Sequence, residues 1–247
     1  MMSWLEQFKQ HPIAKLADAS FDIFTYHGED GIVGYLLQQL KNVPPVFVDI
    51  GAGNCITGNC TLLAVHFNWK GAFIDKESKQ LSIGKRFYRK TNSSLKYINE
   101  EITPGNINQV ITDAVVPGEI GLLSIDIDGN DYWIWKAITI IQPRIVVIEA
   151  KVEFGYQNVI VPYGANNHRS KDIKYNGGSV EAFRKLGIAK GYKLVGANQQ
   201  GYNLFFVKQD ENIPALATSE ILNDSATIKS FYPESFFRGH KFVTEFN

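Results

Sequence analysis

Short β-forming runs in this chain end again and again in a group that can bind or move a proton. Asp49 follows VFV, Asp75 follows GAFI, Asn99 follows LKYI, Asp126 follows GLLSI and Glu149 follows RIVVI. In an open α/β sheet the ligand lies beyond the carboxyl ends of the strands. These residues are therefore expected around one crevice. A single acid there is an ordinary helix cap. Several around one crevice repel each other unless a cation, a metal or a hydroxyl-rich ligand joins them. Asp126 and Asp128 are two apart and share a face while the chain stays extended. With Glu149 they offer the oxygen ligands that suit Mg²⁺, so a divalent metal held by Asp126 and Glu149 is one expectation.

The first of these strands, VFVDI, breaks directly into Gly51-Ala52-Gly53. A side chain at Gly51 or Gly53 is expected to obstruct a ligand approaching the backbone. Dinucleotide sites carry a third glycine for close helix–strand packing, and Ile56 stands at that position here. S-adenosylmethionine (SAM) binds without a pyrophosphate and accepts a looser turn. Its ribose would bond Asp75. Its ammonium and sulfonium would face Asp49 or Asp126. Its adenine amine lies within reach of Asn99, Glu100 or Glu101.

The elements that must position these groups alternate along the chain. Strands are expected at 46–50, 71–75, 95–99, 121–126 and 144–149. Helices are expected at 59–67, 77–89, 103–115, 131–140 and 179–187. Before them, the first forty residues read as helical, with Trp4, Leu5 and Phe8 at helical spacing. Asp30 is expected to cap a helix whose apolar face is Ile32, Val33, Leu36, Leu37 and Leu40. Pro44-Pro45 punctuates the chain before the first strand. After a long polar loop, strands at 192–197 and 202–207 flank the turn Asn198–Gly201, and so short a turn makes them antiparallel. A mostly parallel sheet that closes with a hairpin is the architecture of class I methyltransferases. The fold class is thus α/β and Rossmann-like: seven strands with helices on both faces.

The 247 residues fit one α/β domain with an appendage. The expected division is an N-terminal helical segment or lid at 1–45, a SAM-binding core at 46–210 and a phenylalanine-rich tail at 211–247. Twenty-five basic and 25 acidic residues balance to zero net charge, which argues against a nucleic-acid footprint. Cys55 and Cys60 cannot build a structural zinc site by themselves and read as packing residues. No secretory signal or long apolar run is visible, so a cytoplasmic protein without membrane contact is expected. A homo-oligomer is left open.

The blocks VDIGAGN, NWKGAFID, YINEEITPGNIN, LLSIDIDGNDYWIW and RIVVIEA resemble, in order and spacing, FkbM-like class I SAM-dependent methyltransferases. The resemblance spans about His27 to Val207. It implies an O-methyltransferase of sugars, surface-glycan precursors or secondary metabolites. Many relatives carry glycine where Cys55 stands. Proton removal from a hydroxyl acceptor needs a base. His168, in the polar loop after the fifth strand, and Asp128 are the catalytic candidates. His66 reads as structural. His27 and Glu29 are expected to reach the cofactor from an N-terminal lid, joining Asp49, Gly51, Ala52, Gly53, Asp75, Glu101 and Asp126 in the cofactor set. Two other classes compete: an NAD-dependent oxidoreductase, and a non-catalytic binding protein of the same fold.

Overall fold

A computed structural model describes residues 13–115, 117–165, 174–224 and 231–244. Seven strands form one sheet: β1 (Val46–Ile50), β2 (Lys70–Asp75), β3 (Leu95–Asn99), β4 (Gly118–Ile125), β5 (Ile141–Glu149), β6 (Tyr192–Ala197) and β7 (Asn203–Lys208). Their order is β3-β2-β1-β4-β5-β7-β6. The first five pair in parallel, and β7 runs antiparallel to both β5 and β6. The architecture is the Rossmann-like class I methyltransferase fold.

Alternation along the central strands divides the core into two layers. Phe47, Phe73, Leu122, Val147 and Phe205 point to one face. There they meet α1 (Glu29–Gln39), α2 (Thr61–Val65) and α3 (Ser78–Tyr88) through Ile32, Leu36, Leu63, Leu81 and Tyr88. Val48, Ile74, Leu123, Val146, Ile148 and Phe206 point to the other face. They meet α4 (Ile107–Ala114), α5 (Asp131–Ala137), α6 (Val180–Ala189) and α7 (Thr218–Asp224) through Ile111, Trp135, Phe183 and Leu222. Each such fully buried side chain contributes about 1.5–3 kcal/mol. An exposed ion pair such as Arg238–Glu234 contributes about 0–1 kcal/mol, so the core decides the fold.

Residues 13–28 and 231–244 attach to this frame in different ways. A 3-10 turn at Leu16–Ala19 packs on β6, where a Cβ on Gly196 would sit 2.5 Å from the Leu16 side chain. Trp4, Leu5 and Phe8 lie outside the described residues. In the tail, α8 (Glu234–Gly239) brings Phe236 and Phe237 against Phe154, which belongs to a 3-10 turn (Val152–Phe154) just after β5. Val243 pairs with Ile160 in an isolated bridge. The tail thus packs against the described part of the loop after β5.

Asp30 differs from its expected role. Gly28, at φ +87°, caps α1, and Asp30 lies inside the first turn. One of its carboxylate oxygens accepts the N–H groups of Ile23, Phe24 and Thr25 at 2.8, 2.6 and 2.9 Å. It therefore shapes the loop before the helix. The reason is the glycine, whose left-handed backbone turns the chain without a side-chain cap. Among the described residues no helix is long and apolar enough to cross a membrane.

Candidate functional site

The turn after β1 is fastened to its neighbours before it offers anything to a ligand. The N–H groups of Gly51 and Ala52 both donate to the Ile74 carbonyl, at 2.9 and 3.1 Å, and Asp126 N–H donates to the Ile50 carbonyl at 2.9 Å. Gly51 has φ +82°, and a Cβ there would lie 1.7 Å from the Asp126 carbonyl oxygen. Gly51 thus permits the close approach of the β1 and β4 ends, which corrects the view that it keeps a path open for ligand. At Gly53, with φ +50°, a Cβ would meet nothing within 4 Å. Its N–H donates to Asp75 Oδ2 at 2.8 Å. Cys55 takes φ +60°, a conformation glycine adopts without strain. The Tyr88 hydroxyl bonds its carbonyl at 2.8 Å, and α3 presses on its side chain at Gly84.

Beyond this turn lies a cleft of about 880 Å³. Gly51, Ala52 and Gly53 form part of its wall, and Ile74, Ile102 and Ile127 supply apolar surface. Its charged lining is Asp75, Glu77, Glu100, Glu101, Asp126 and Asp128, set against one lysine, Lys76. Asp75 is rigid, because Oδ1 also accepts the Glu77 N–H at 2.7 Å. Lone pairs remain on both carboxylate oxygens.

Asp126, Asp128 and Glu149 converge, with one carboxylate oxygen of each lying within 4.8 Å of the others. Asp126 and Asp128 are exposed on the cleft and Glu149 is half-buried; burial first, then repulsion from Asp131 and Asp126, raises the proton affinity of Glu149. Three carboxylates are the oxygen-ligand chemistry that suits a divalent ion of the Mg²⁺ class.

The other expected site residues fall elsewhere. Asp49 is 4% exposed and turned toward the start of α2, bonded by the Ser124 and Cys60 side chains. Burial pushes its carboxyl up to about 7. Glu29 is buried against the β6–β7 hairpin: Oε1 accepts the side-chain amides of Asn198 and Asn203 at 2.7 and 2.8 Å, and Oε2 accepts the His27 N–H at 3.1 Å. The His27 ring meets the edge of Tyr202. None of these three side chains lines the cleft. Asn99 braces the ends of β2, donating to the Asp75 and Lys76 carbonyls at 3.0 and 2.8 Å. His168 lies outside the described residues. Asn54, Thr57, Asn130 and Asn176 line the cleft without a role in the sequence reading. Asn54 and Asn130 fall inside the VDIGAGN and IDIDGND blocks and were within reach of it. Asn176, at the end of the long loop, carried no local signal.

No family model and no curated protein matches this chain. Solved structures do. An O-methyltransferase from Bacillus cereus, solved with S-adenosylhomocysteine (SAH), is 16% identical over 83% of this chain and 91% of that one, with a TM-score of 0.48. A SAM-dependent methyltransferase from Clostridium acetobutylicum is 11% identical over 73% and 89%, at 0.44. Likeness at this level says nothing of a substrate.

Proposed function

We propose that this chain is a SAM-dependent O-methyltransferase of the FkbM-like kind, acting on a hydroxyl of a small or glycan-related acceptor. The supporting observation is the open backbone at Gly53 beside the fixed Asp75 carboxylate. That pairing suits a nucleoside whose ribose hydroxyls donate to Asp75 while its chain passes over the turn. Ile74, Ile102 and Ile127 suit an adenine face, with Glu101 near the exocyclic amine. The charge of the cleft separates the competing cofactors. A pyrophosphate would face six carboxylates and one lysine, whereas SAM brings an ammonium and a sulfonium to them.

When bound, SAM supplies an electrophilic methyl group. The residues hold donor and acceptor in line, and proximity carries much of the rate. Asp126 faces the positive end of the cofactor. Asp128 is the base for the acceptor hydroxyl, and His168 is the alternative. Calorimetry on the full chain tests the assignment: SAH binds and NAD does not. Asp75→Ala weakens SAH by about 1–3 kcal/mol. NAD binding without SAH binding would reverse the reading.

A second reading adds a metal. Asp126, Asp128 and Glu149 would hold a divalent cation that orients the acceptor oxygen and lowers its proton affinity. On this reading Mg²⁺ binds the wild-type protein, and Asp126→Asn and Glu149→Gln each abolish that binding. Turnover that persists in chelator leaves Asp128 as a direct base.

A further inference from the structure

Beyond β4 the chain turns sharply through Asp126–Asn130 to begin α5. Asp128 has φ +58° and Gly129 φ +133°. Aspartate tolerates the left-handed region at a cost, and it stays there when the surroundings hold it. Asp131 is the residue that holds it. This first residue of α5 is 1% exposed. Its Oδ1 accepts the Ile127 N–H and its Oδ2 accepts the Gly129 N–H, both at 2.9 Å. These two amides flank Asp128. Hydrogen bonds to a charged acceptor are the stronger kind. Here both oxygens of one carboxylate are used on a single turn. From the far side, the Gly129 carbonyl accepts the Gly177 N–H at 3.2 Å. Asp131 itself does not line the cleft.

We propose that Asp131 is a positioning residue: its carboxylate fixes the Ile127–Gly129 turn so that Asp126 and Asp128 are presented together to the cofactor and acceptor. An aspartate is required for this. Asparagine keeps one acceptor oxygen and sets an N–H donor against the second amide, and alanine keeps none. The role rests on the methyltransferase reading of the cleft.

A double-mutant cycle in SAH affinity, measured by calorimetry on the full chain, tests it. Asp131→Ala keeps the wild-type circular dichroism spectrum and weakens SAH at least about tenfold. Asp131→Asn falls between wild type and Asp131→Ala. Adding Asp131→Ala to Asp126→Asn costs much less than it does in the wild type, because both changes remove the same contact. A merely structural role predicts additive losses, or SAH affinity within about twofold of wild type; either result overturns the proposal. If Asp131→Ala does not fold, Asp131→Asn is taken through the same cycle under the same criteria. Amide exchange by NMR reads the turn without ligand. Ile127 and Gly129 are protected in the wild type and exchange faster in Asp131→Asn; rapid exchange of both in the wild type overturns the proposal. Absence of SAH binding by the wild type removes the methyltransferase reading and this role with it. Wild-type binding that Asp131→Ala leaves untouched removes this role alone.

Discussion

Asp49 is almost fully buried beside Ser124 and Cys60, so its charge is poorly hydrated. Its carboxyl is raised from 3.8 to about 7 by burial, although the Ser124 and Cys60 side chains pull the other way. The folded protein therefore holds a proton that the unfolded chain releases. The associated stability is complete below about pH 4 and is lost as pH rises to about 7. Asp49→Asn, which carries no titrating charge, should flatten this part of the profile. The check is the melting temperature of both proteins across that range. Parallel slopes would mean that Asp49 does not titrate there. Part of this is legible in the sequence: an acid at the end of a buried strand marks a position by the cleft end of the sheet. Its direction is not, because only the sheet order and the packing of α2 show that Asp49 points, like Phe47, into the helix layer that holds Cys60. Cys55 shows the reverse case. The sequence marked it as a departure from glycine, and its φ of +60° explains why glycine suits that position.

At the scale of elements, the two glycines of the first turn do different work. Gly51→Ala places a Cβ against the Asp126 carbonyl and should force β1 and β4 apart. The expected loss is about 2–4 kcal/mol in urea denaturation. Gly53→Ala meets open space. It should cost about 1 kcal/mol in folding and show its main effect on SAH affinity. Equal folding losses at both positions would contradict the separation. Strands are the most legible elements, since short apolar runs bounded by turn residues mark them at the centre and the edges of the sheet alike; β1, β3 and β6 have the expected bounds. Helix starts were less legible. The helix expected from Thr103 begins at Ile107, because Thr103 and Asn106 first bond each other reciprocally, side chain to backbone, in a turn of their own. The helix expected at 59–67 shrinks to Thr61–Val65. The Asn59 side chain is committed to Ser124 of β4, and Asn68 turns left-handed at φ +51°.

Across the whole molecule, the least legible features join residues far apart in sequence. Nothing local to Glu29 indicates that its carboxylate belongs to Asn198 and Asn203. The helical period around Ile32 and Leu36 gave the buried face of α1, but a partner on the hairpin follows only once the sheet order is known. The same holds for the tail, whose phenylalanines were visible while their seat on Phe154 was not.

The union of Glu29 with the hairpin has a consequence for how the protein is made. Synthesis runs from the N-terminus, so Glu29 leaves the ribosome well before the two asparagines that will satisfy it. Until Asn203 emerges, β5 also has one edge open, since β7 alone covers it on that side. A nascent chain can assemble β1 to β5 early, yet it must carry a bare strand edge and an unmatched acid until the last hairpin arrives. Completion of the sheet thus waits until the β6–β7 hairpin has been made.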